Sequence, residues 1–158
     1  MSDDKYRDAL DAAAKQLSYR ALSASLLRDK LLDKGHDEES ADYALAWLAE
    51  RNLLDDAAFA ESVVRSYERR GYGLQRIRQE LTRRGVDRET ADAALDGWSA
   101  DRAQMLALLD KRLKGDVSDK KELDKAVAAL QRRGFGWQDI RDALKEYGEA
   151  VLDTEIEE

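Results

Sequence analysis

One sentence of residues recurs along this chain. Gly71-Tyr72-Gly73-x-x-x-Ile77-Arg78-x-x-Leu81-x-x-x-Gly85 returns 63 residues later as Gly134-Phe135-Gly136-x-x-x-Ile140-Arg141-x-x-Leu144-x-x-x-Gly148. A looser version, Leu27-Arg28-x-x-Leu31-x-x-x-Gly35, lies 50 residues upstream of the first in the same register. That match continues: Gly35, Asp37, Glu39, Ala41, Asp42, Ala44 and Leu45 equal Gly85, Asp87, Glu89, Ala91, Asp92, Ala94 and Leu95. Self-similarity of this kind marks stacked supersecondary units, each burying its apolar face on a neighbour. Function in such chains is carried by an extended surface rather than by one pocket.

The apolar spacing inside each unit is helical. Tyr6, Leu10, Ala13 and Leu17 share one helix face in the first unit. Ser23 is an N-cap for a second helix to about Lys34, with Gly35 at its C-terminus, and Asp37 caps a third to about Arg51. An aspartate at Asp55 or Asp56 can cap the next helix, which buries Phe59, Ala60, Val63, Val64 and Tyr67. Gly71-Tyr72-Gly73 predicts a tight corner, with glycine relieving positive φ on either side of the aromatic. A helix carrying Leu74, Ile77 and Leu81 follows, and then one capped by Asp87 that presents Ala91, Ala94, Leu95 and Trp98. Segment 99–114 continues as amphipathic helix through Met105, Leu108, Leu109 and Leu113, and Gly115-Asp116 breaks it. The third unit starts near Ser118 or Asp119 and turns at Gly134-Phe135-Gly136. After Gly148 only Val151, Leu152 and Ile156 stand among acids, so a short or frayed helix is expected there. The expected fold is all-α, an elongated array of three tandem three-helix, helix-turn-helix-like repeats. They are placed at 1–54, 55–98 and 118–158, with a helical connector at 99–117 and an acidic tail.

Composition narrows the function. There is no cysteine, which excludes disulfides, thiolate zinc sites and a cysteine nucleophile. The absence of proline suits a chain that is helical almost throughout. No run approaches the ~18 apolar residues of a membrane span, and Met1-Ser2-Asp3-Asp4 does not open a secretory signal, so a cytoplasmic protein is expected. The formal charge of −7 opposes autonomous tight binding to nucleic acid, which needs clustered cations. The average conceals a gradient, however. Residues 1–56 carry 8 Lys+Arg against 13 Asp+Glu, whereas residues 65–84 carry seven arginines against Glu68 and Glu80. The tail after Gly148 is acidic, with Glu149, Asp153, Glu155, Glu157 and Glu158.

No catalytic constellation emerges. The one histidine, His36, follows a C-cap glycine, where a packed or solvated loop residue is expected. No nucleophile elbow or Gly-rich phosphate loop is present, and Asp55-Asp56 and Glu38-Glu39 suit helix starts. No cofactor or metal is called for. The informative residues are arginines: Arg65, Arg69, Arg70, Arg76, Arg83 and Arg84 in the middle unit, and Arg132 and Arg133 in the third. Their planar forks meet carboxylate or phosphate bidentately. The alternative is that Arg-Arg before Gly compensates a helix C-terminus. An interaction surface is favoured, because the neighbouring acids are too few to pair all the arginines. Tyr72 or Phe135 beside such a pair can anchor a contact or stack on a base, but packing between units is the favoured role of both rings. Arg78 and Arg141 are expected to pair within the array.

Leu53-Leu54-Asp55-Asp56-x-x-Phe59-Ala60-Glu61-x-x-Val64-Arg65-Ser66, followed by Arg69-Arg70-Gly71-Tyr72-Gly73-x-x-x-Ile77-Arg78-Gln79-Glu80-Leu81-x-x-x-Gly85-Val86, resembles the core of the RecX family of bacterial regulatory proteins. Leu130-Gln131-Arg132-Arg133-Gly134-Phe135 with Ile140, Arg141 and Leu144 resembles its C-terminal repeat. Ser18-Tyr19-Arg20-Ala21-Leu22-Ser23 with Leu31, Lys34 and Gly35 resembles its N-terminal one, although Ala21 and Leu22 are less typical. The resemblance covers about residues 10–147, and the acidic tail departs from it. It implies three tandem three-helix repeats, no enzymatic activity, and binding to the RecA recombinase filament on single-stranded DNA. Inhibition of ATP hydrolysis, strand exchange and co-protease activity would follow, a role in DNA repair, recombination and SOS modulation. Contact with single-stranded DNA would be indirect or weak, no membrane is involved, and a monomer is expected. The alternative is an autonomous DNA-binding helical-repeat protein.

Overall fold

The structure is a computed structural model that describes residues 2–157, with side chains described for 4–153. Nine helices and no strand are found among the described residues: α1 (Ser2–Tyr19), α2 (Ala24–Asp33), α3 (Glu38–Glu50), α4 (Asp56–Arg69), α5 (Leu74–Arg83), α6 (Arg88–Ala94), α7 (Arg102–Leu113), α8 (Lys120–Arg132) and α9 (Trp137–Glu157). They fall into two compact units, Met1–Val63 with Glu80–Asp96, and Val64–Gln79 with Gly97–Glu158. Helices α4 and α5 each contribute residues to both.

In the first unit α1 lies against α3, and alanines on both helices (Ala9, Ala13, Ala41 and Ala44) are fully buried beside Leu27, Leu31 and Leu48. Small residues on two facing stripes let two helices approach closely. The sequence-assigned caps hold. Ser23, Asp37 and Asp87 each accept a bond from the backbone N–H three residues on, and Asp55 does the same for Ala58 at 3.1 Å. Ser23 has a second role: it is buried, and its hydroxyl donates to the Arg84 carbonyl at 2.5 Å. The Ala24 N–H donates to Asp56 Oδ1 at 2.8 Å, so the start of α2 is tied to α4 and to the end of α5.

Helix ends close in one recurrent way. At Gly35, Asn52, Gly71, Gly85 and Gly134 a residue of positive φ ends the helix. In each case its N–H bonds back three residues, and the next N–H bonds back five. A side chain at that next position is brought onto the residue five before it. His36, Leu53, Tyr72, Val86 and Phe135 occupy it, which accounts for the single histidine as a half-buried corner residue.

In the second unit Met105, Leu109 and Leu113 of α7 share one core with Ala126 and Leu130 of α8, Phe135, and Ile140, Ala143 and Tyr147 of α9. The segment read as a connector over 99–117 thus supplies a full core helix. That helix does not continue from the preceding one: α6 ends at Ala94, Gly97 takes φ +74°, and Asp101 starts α7 afresh by accepting the Gln104 N–H. The short or frayed helix expected after Gly148 is also corrected. Helix α9 runs unbroken through Gly148 because Leu144, Tyr147 and Val151 extend one apolar stripe into the core. Their burial outweighs the roughly 1 kcal/mol cost of an interior glycine. The side chains of Ile156, Glu155, Glu157 and Glu158 lie outside the described residues.

Candidate interaction surface

The second unit brings the two Gly-aromatic-Gly corners together. Helix α4 ends with Gly71 at φ +83°, its N–H bonding to the Glu68 carbonyl, while the Tyr72 N–H bonds to the Tyr67 carbonyl, both at 3.0 Å. The Tyr67 and Tyr72 rings consequently meet, with centroids 5.2 Å apart and planes tilted by 46°. Helix α8 ends alike at Gly134, φ +95°, and puts Phe135 next to Leu130 in the core.

The corners then share backbone hydrogen bonds. The Gly73 N–H donates to the Arg133 carbonyl at 2.7 Å, and the Gln75 N–H donates to the Gly134 carbonyl at 3.1 Å. This approach explains a glycine that positive φ does not. Gly73 has no positive φ, contrary to the sequence expectation, but a Cβ there would sit 2.5 Å from the Gly134 carbonyl carbon and the Phe135 nitrogen. A Cβ at Gly134 would in turn overlap the Arg76 backbone.

Three guanidinium groups gather round Tyr72. Those of Arg70, Arg76 and Arg133 lie 5.3, 5.4 and 5.5 Å from its ring centroid, and Arg70 is also 4.7 Å from Tyr67. Arg133 is held in place by donating from Nη1 to the Arg70 carbonyl at 3.0 Å. Each cation–ring contact is worth about 0.5–1 kcal/mol near solvent. Among the described residues, none of these three arginines pairs with a carboxylate. Tyr67 is buried and Tyr72 half-buried, so the cluster is an aromatic floor under mutually repelling positive charges. Such a patch attracts an anionic partner.

The other sequence-selected residues are distributed differently. Arg65, Arg69 and Arg132 belong to the same unit and are exposed. Arg69 also accepts a bond from Gln104 Nε2 at its carbonyl, at 3.4 Å. Arg83 and Arg84 belong to the first unit and converge on one carboxylate. Arg83 Nε donates to Glu80 Oε2 at 3.1 Å and its Nη2 to Oε1, which also accepts from Arg84 Nε at 2.6 Å. Glu80 is only 5% exposed, so these arginines satisfy a buried charge that would otherwise be strongly destabilising. The i+3 and i+4 spacing from Glu80 is visible in the sequence and is the signal for this pairing. Arg141 Nη2 meets Gln138 Oε1 at 3.4 Å. Sequence reasoning placed Tyr67 only in a core, whereas its ring also takes Arg70. Among the described residues no three His, Asp or Glu side chains are placed to hold a metal ion, and no helix is long and apolar enough to cross a membrane.

Three family models match the chain: the first three-helix domain of RecX over residues 9–48, the second over 55–95 and the third over 100–144. The third takes in α7, α8 and the opening turns of α9, the helices that share the second core. The regulatory protein RecX of Chlorobaculum tepidum is 36% identical over 148 residues, covering 92% of this chain and 91% of its own. That of Halorhodospira halophila is 39% identical over 135 residues, 84% of each chain. A crystal structure of RecX from Lactobacillus salivarius matches with a TM-score of 0.85 over 92% of this chain and 97% of its own. Its 23% identity makes that likeness one of fold.

Proposed function

We propose that this chain, which belongs to the RecX family of regulatory proteins, modulates the RecA recombinase by docking on its filament on single-stranded DNA, with the Tyr72 cluster as a principal contact. The observation that carries this reading is the set of three guanidinium groups around Tyr72, none of them paired with a carboxylate among the described residues. Tyrosine and arginine dominate the energetic centres of protein interfaces, and a cluster held by glycine corners loses little freedom on binding. The cluster meets acidic protein surface or backbone phosphate in the filament, while the net charge of −7 discourages binding to bare DNA. Three domains on a partner made of repeated subunits let modest contacts add through effective concentration. ATP hydrolysis, strand exchange and co-protease activity fall because the filament is capped or coated. The chain performs no bond-making chemistry of its own.

The test is a titration of DNA-dependent ATP hydrolysis by the cognate recombinase. The intact chain inhibits. Arg70→Glu combined with Arg76→Glu raises the concentration for half inhibition by about tenfold or more at unchanged far-UV circular dichroism. Undiminished inhibition by that double variant refutes the assignment of the surface. Tight retention of DNA alone at ~150 mM salt would instead favour an autonomous DNA-binding protein.

A further inference from the structure

Helices α7 and α8 leave an open groove of about 340 Å³ in the second unit. Leu108, Leu109 and Ala129 give it an apolar floor, and Lys111, Arg112 and Arg133 line it with positive charge. Basic residues in the last turn of α7 favour its carbonyl end. That role accounts for a charge there but not for an apolar surface left open between the two helices.

The helix end is moreover already closed by other means. Lys114 takes a left-handed φ of +53°, the Gly115 N–H donates to the Tyr147 hydroxyl at 2.7 Å, and that hydroxyl donates to Asp110 Oδ1 at 2.8 Å. The acid beside Lys111 is thereby engaged by Tyr147. Among the described residues Lys111, Arg112 and Arg133 make no ion pair. On a chain whose net charge is −7, three cations without an ion pair around an apolar floor make a local positive surface that complements acidic side chains.

We propose that the α7–α8 groove binds a short acidic segment of a protein partner. One aliphatic side chain of that segment seats on Leu108, Leu109 and Ala129, and flanking carboxylates meet Lys111, Arg112 and Arg133. The volume lies at the lower end of the ~300–1,000 Å³ typical of ligand sites, which suits a single side chain and its neighbouring backbone. Guanidinium groups take carboxylates in bidentate pairs. Nucleic acid fits less well, because phosphodiester would leave the floor uncovered and no aromatic ring lines the groove to stack a base. Arg133 stands in both the groove and the Tyr72 cluster, so the two are continuous.

This inference goes beyond filament docking and is tested without recombinase. The probe is a fluorescein-labelled peptide of Asp and Glu residues with one central Leu, followed by fluorescence anisotropy with the full chain at ~0.15 M salt. The expected result is a dissociation constant in the micromolar range, weakened about tenfold when the peptide Leu is replaced by Ser. Arg112→Glu and Ala129→Glu, each on a helix surface, weaken it by a similar factor at unchanged far-UV circular dichroism. Absence of binding up to about 1 mM, equal binding of the Ser peptide, or indifference to both variants would overturn the proposal. So would an oligothymidylate that displaces the peptide at lower concentration than unlabelled peptide does. Full filament inhibition by the Arg70→Glu, Arg76→Glu variant, with peptide binding to the α7–α8 groove intact, would count against the Tyr72 cluster alone.

Discussion

The corners at 71–73 and 134–136 are written almost identically, yet the protein uses them for different ends. Both end a helix with a left-handed glycine and both place an aromatic ring on the residue five before it. Phe135 lands on Leu130 inside the core and is 3% exposed. Tyr72 lands on Tyr67, stays half-exposed and receives three arginines. The second glycines diverge as well. Gly73 lies against the Gly134 backbone, whereas a Cβ at Gly136 would meet nothing within 4 Å. Ser23 occupies the corresponding position of the first domain, where it caps α2. A repeated motif therefore fixes local backbone geometry, and neighbours decide whether its ring becomes core or contact.

The largest expected break in this symmetry comes from the rings. Phe135→Ala removes a buried ring from the second core and costs about 3–5 kcal/mol, read as a lowered urea midpoint. Tyr72→Ala costs roughly 1 kcal/mol, since its ring is half solvated. Equal losses for the two would show that Tyr72 is core and not contact. Next in size is Gly73→Ser. Its Cβ would force apart two corners joined by a pair of backbone bonds, each worth about 0.5–1.5 kcal/mol. A destabilisation of about 2–3 kcal/mol follows, and a chain as stable as the parent would disprove the close approach.

The local features were legible in the sequence. Ser23, Asp37 and Asp87 announced themselves as caps by residue type, and the glycines after α2, α4, α5 and α8 announced the helix ends. What escaped depends on tertiary neighbours. The reason for Gly73 is a backbone some 60 residues away, which no periodicity records. Gly148 resembles Gly85 in register, but only the core decides that Tyr147 and Val151 carry α9 through it. The role of α7 was hidden for a related reason. An amphipathic stripe shows that a helix is packed, without showing against what. For the site, the arginines were visible as a cluster. Their division into a ring-stacked set at Tyr72 and a carboxylate-bound pair at Glu80 was not.

Acid sharpens the comparison further, because the two kinds of cap differ in charge. Helices α2, α5 and α9 follow uncharged residues, Ser23, Gly73 and Gly136, whereas α3 and α6 are capped by Asp37 and Asp87. The Ser40 backbone N–H, with help from Lys5, holds the Asp37 carboxyl down to about 2 from an ordinary 3.8, and the Thr90 N–H lowers Asp87. A carboxyl whose folded value is depressed stabilises the fold fully above its ordinary value, and loses that contribution as pH falls through the folded one. Amide protection, corrected for the intrinsic exchange rate, should accordingly fall in α3 between about pH 4 and 2 and in α6 below about pH 4. Asp37→Asn retains a good cap and should flatten the response of α3. An unchanged pH profile in that variant would place the titration elsewhere.

The smallest expected effect is the most discriminating. Gly136 precedes α9 as Gly73 precedes α5, and in each case its carbonyl accepts the first helical bond, from Ile140 at 3.0 Å and from Ile77 at 3.1 Å. Serine is at least as good a cap as glycine, differing by a few tenths of a kcal/mol, and Ser23 shows that this fold accepts it there. Gly136→Ser should then shift the urea midpoint by less than about 0.5 kcal/mol equivalent, in either direction, while Gly73→Ser unfolds the corner. Both substitutions add the same atoms at the same position of the same motif. A matched loss at the two sites would mean that glycine is needed for the corner itself, and the account of Gly73 by its neighbour would fall.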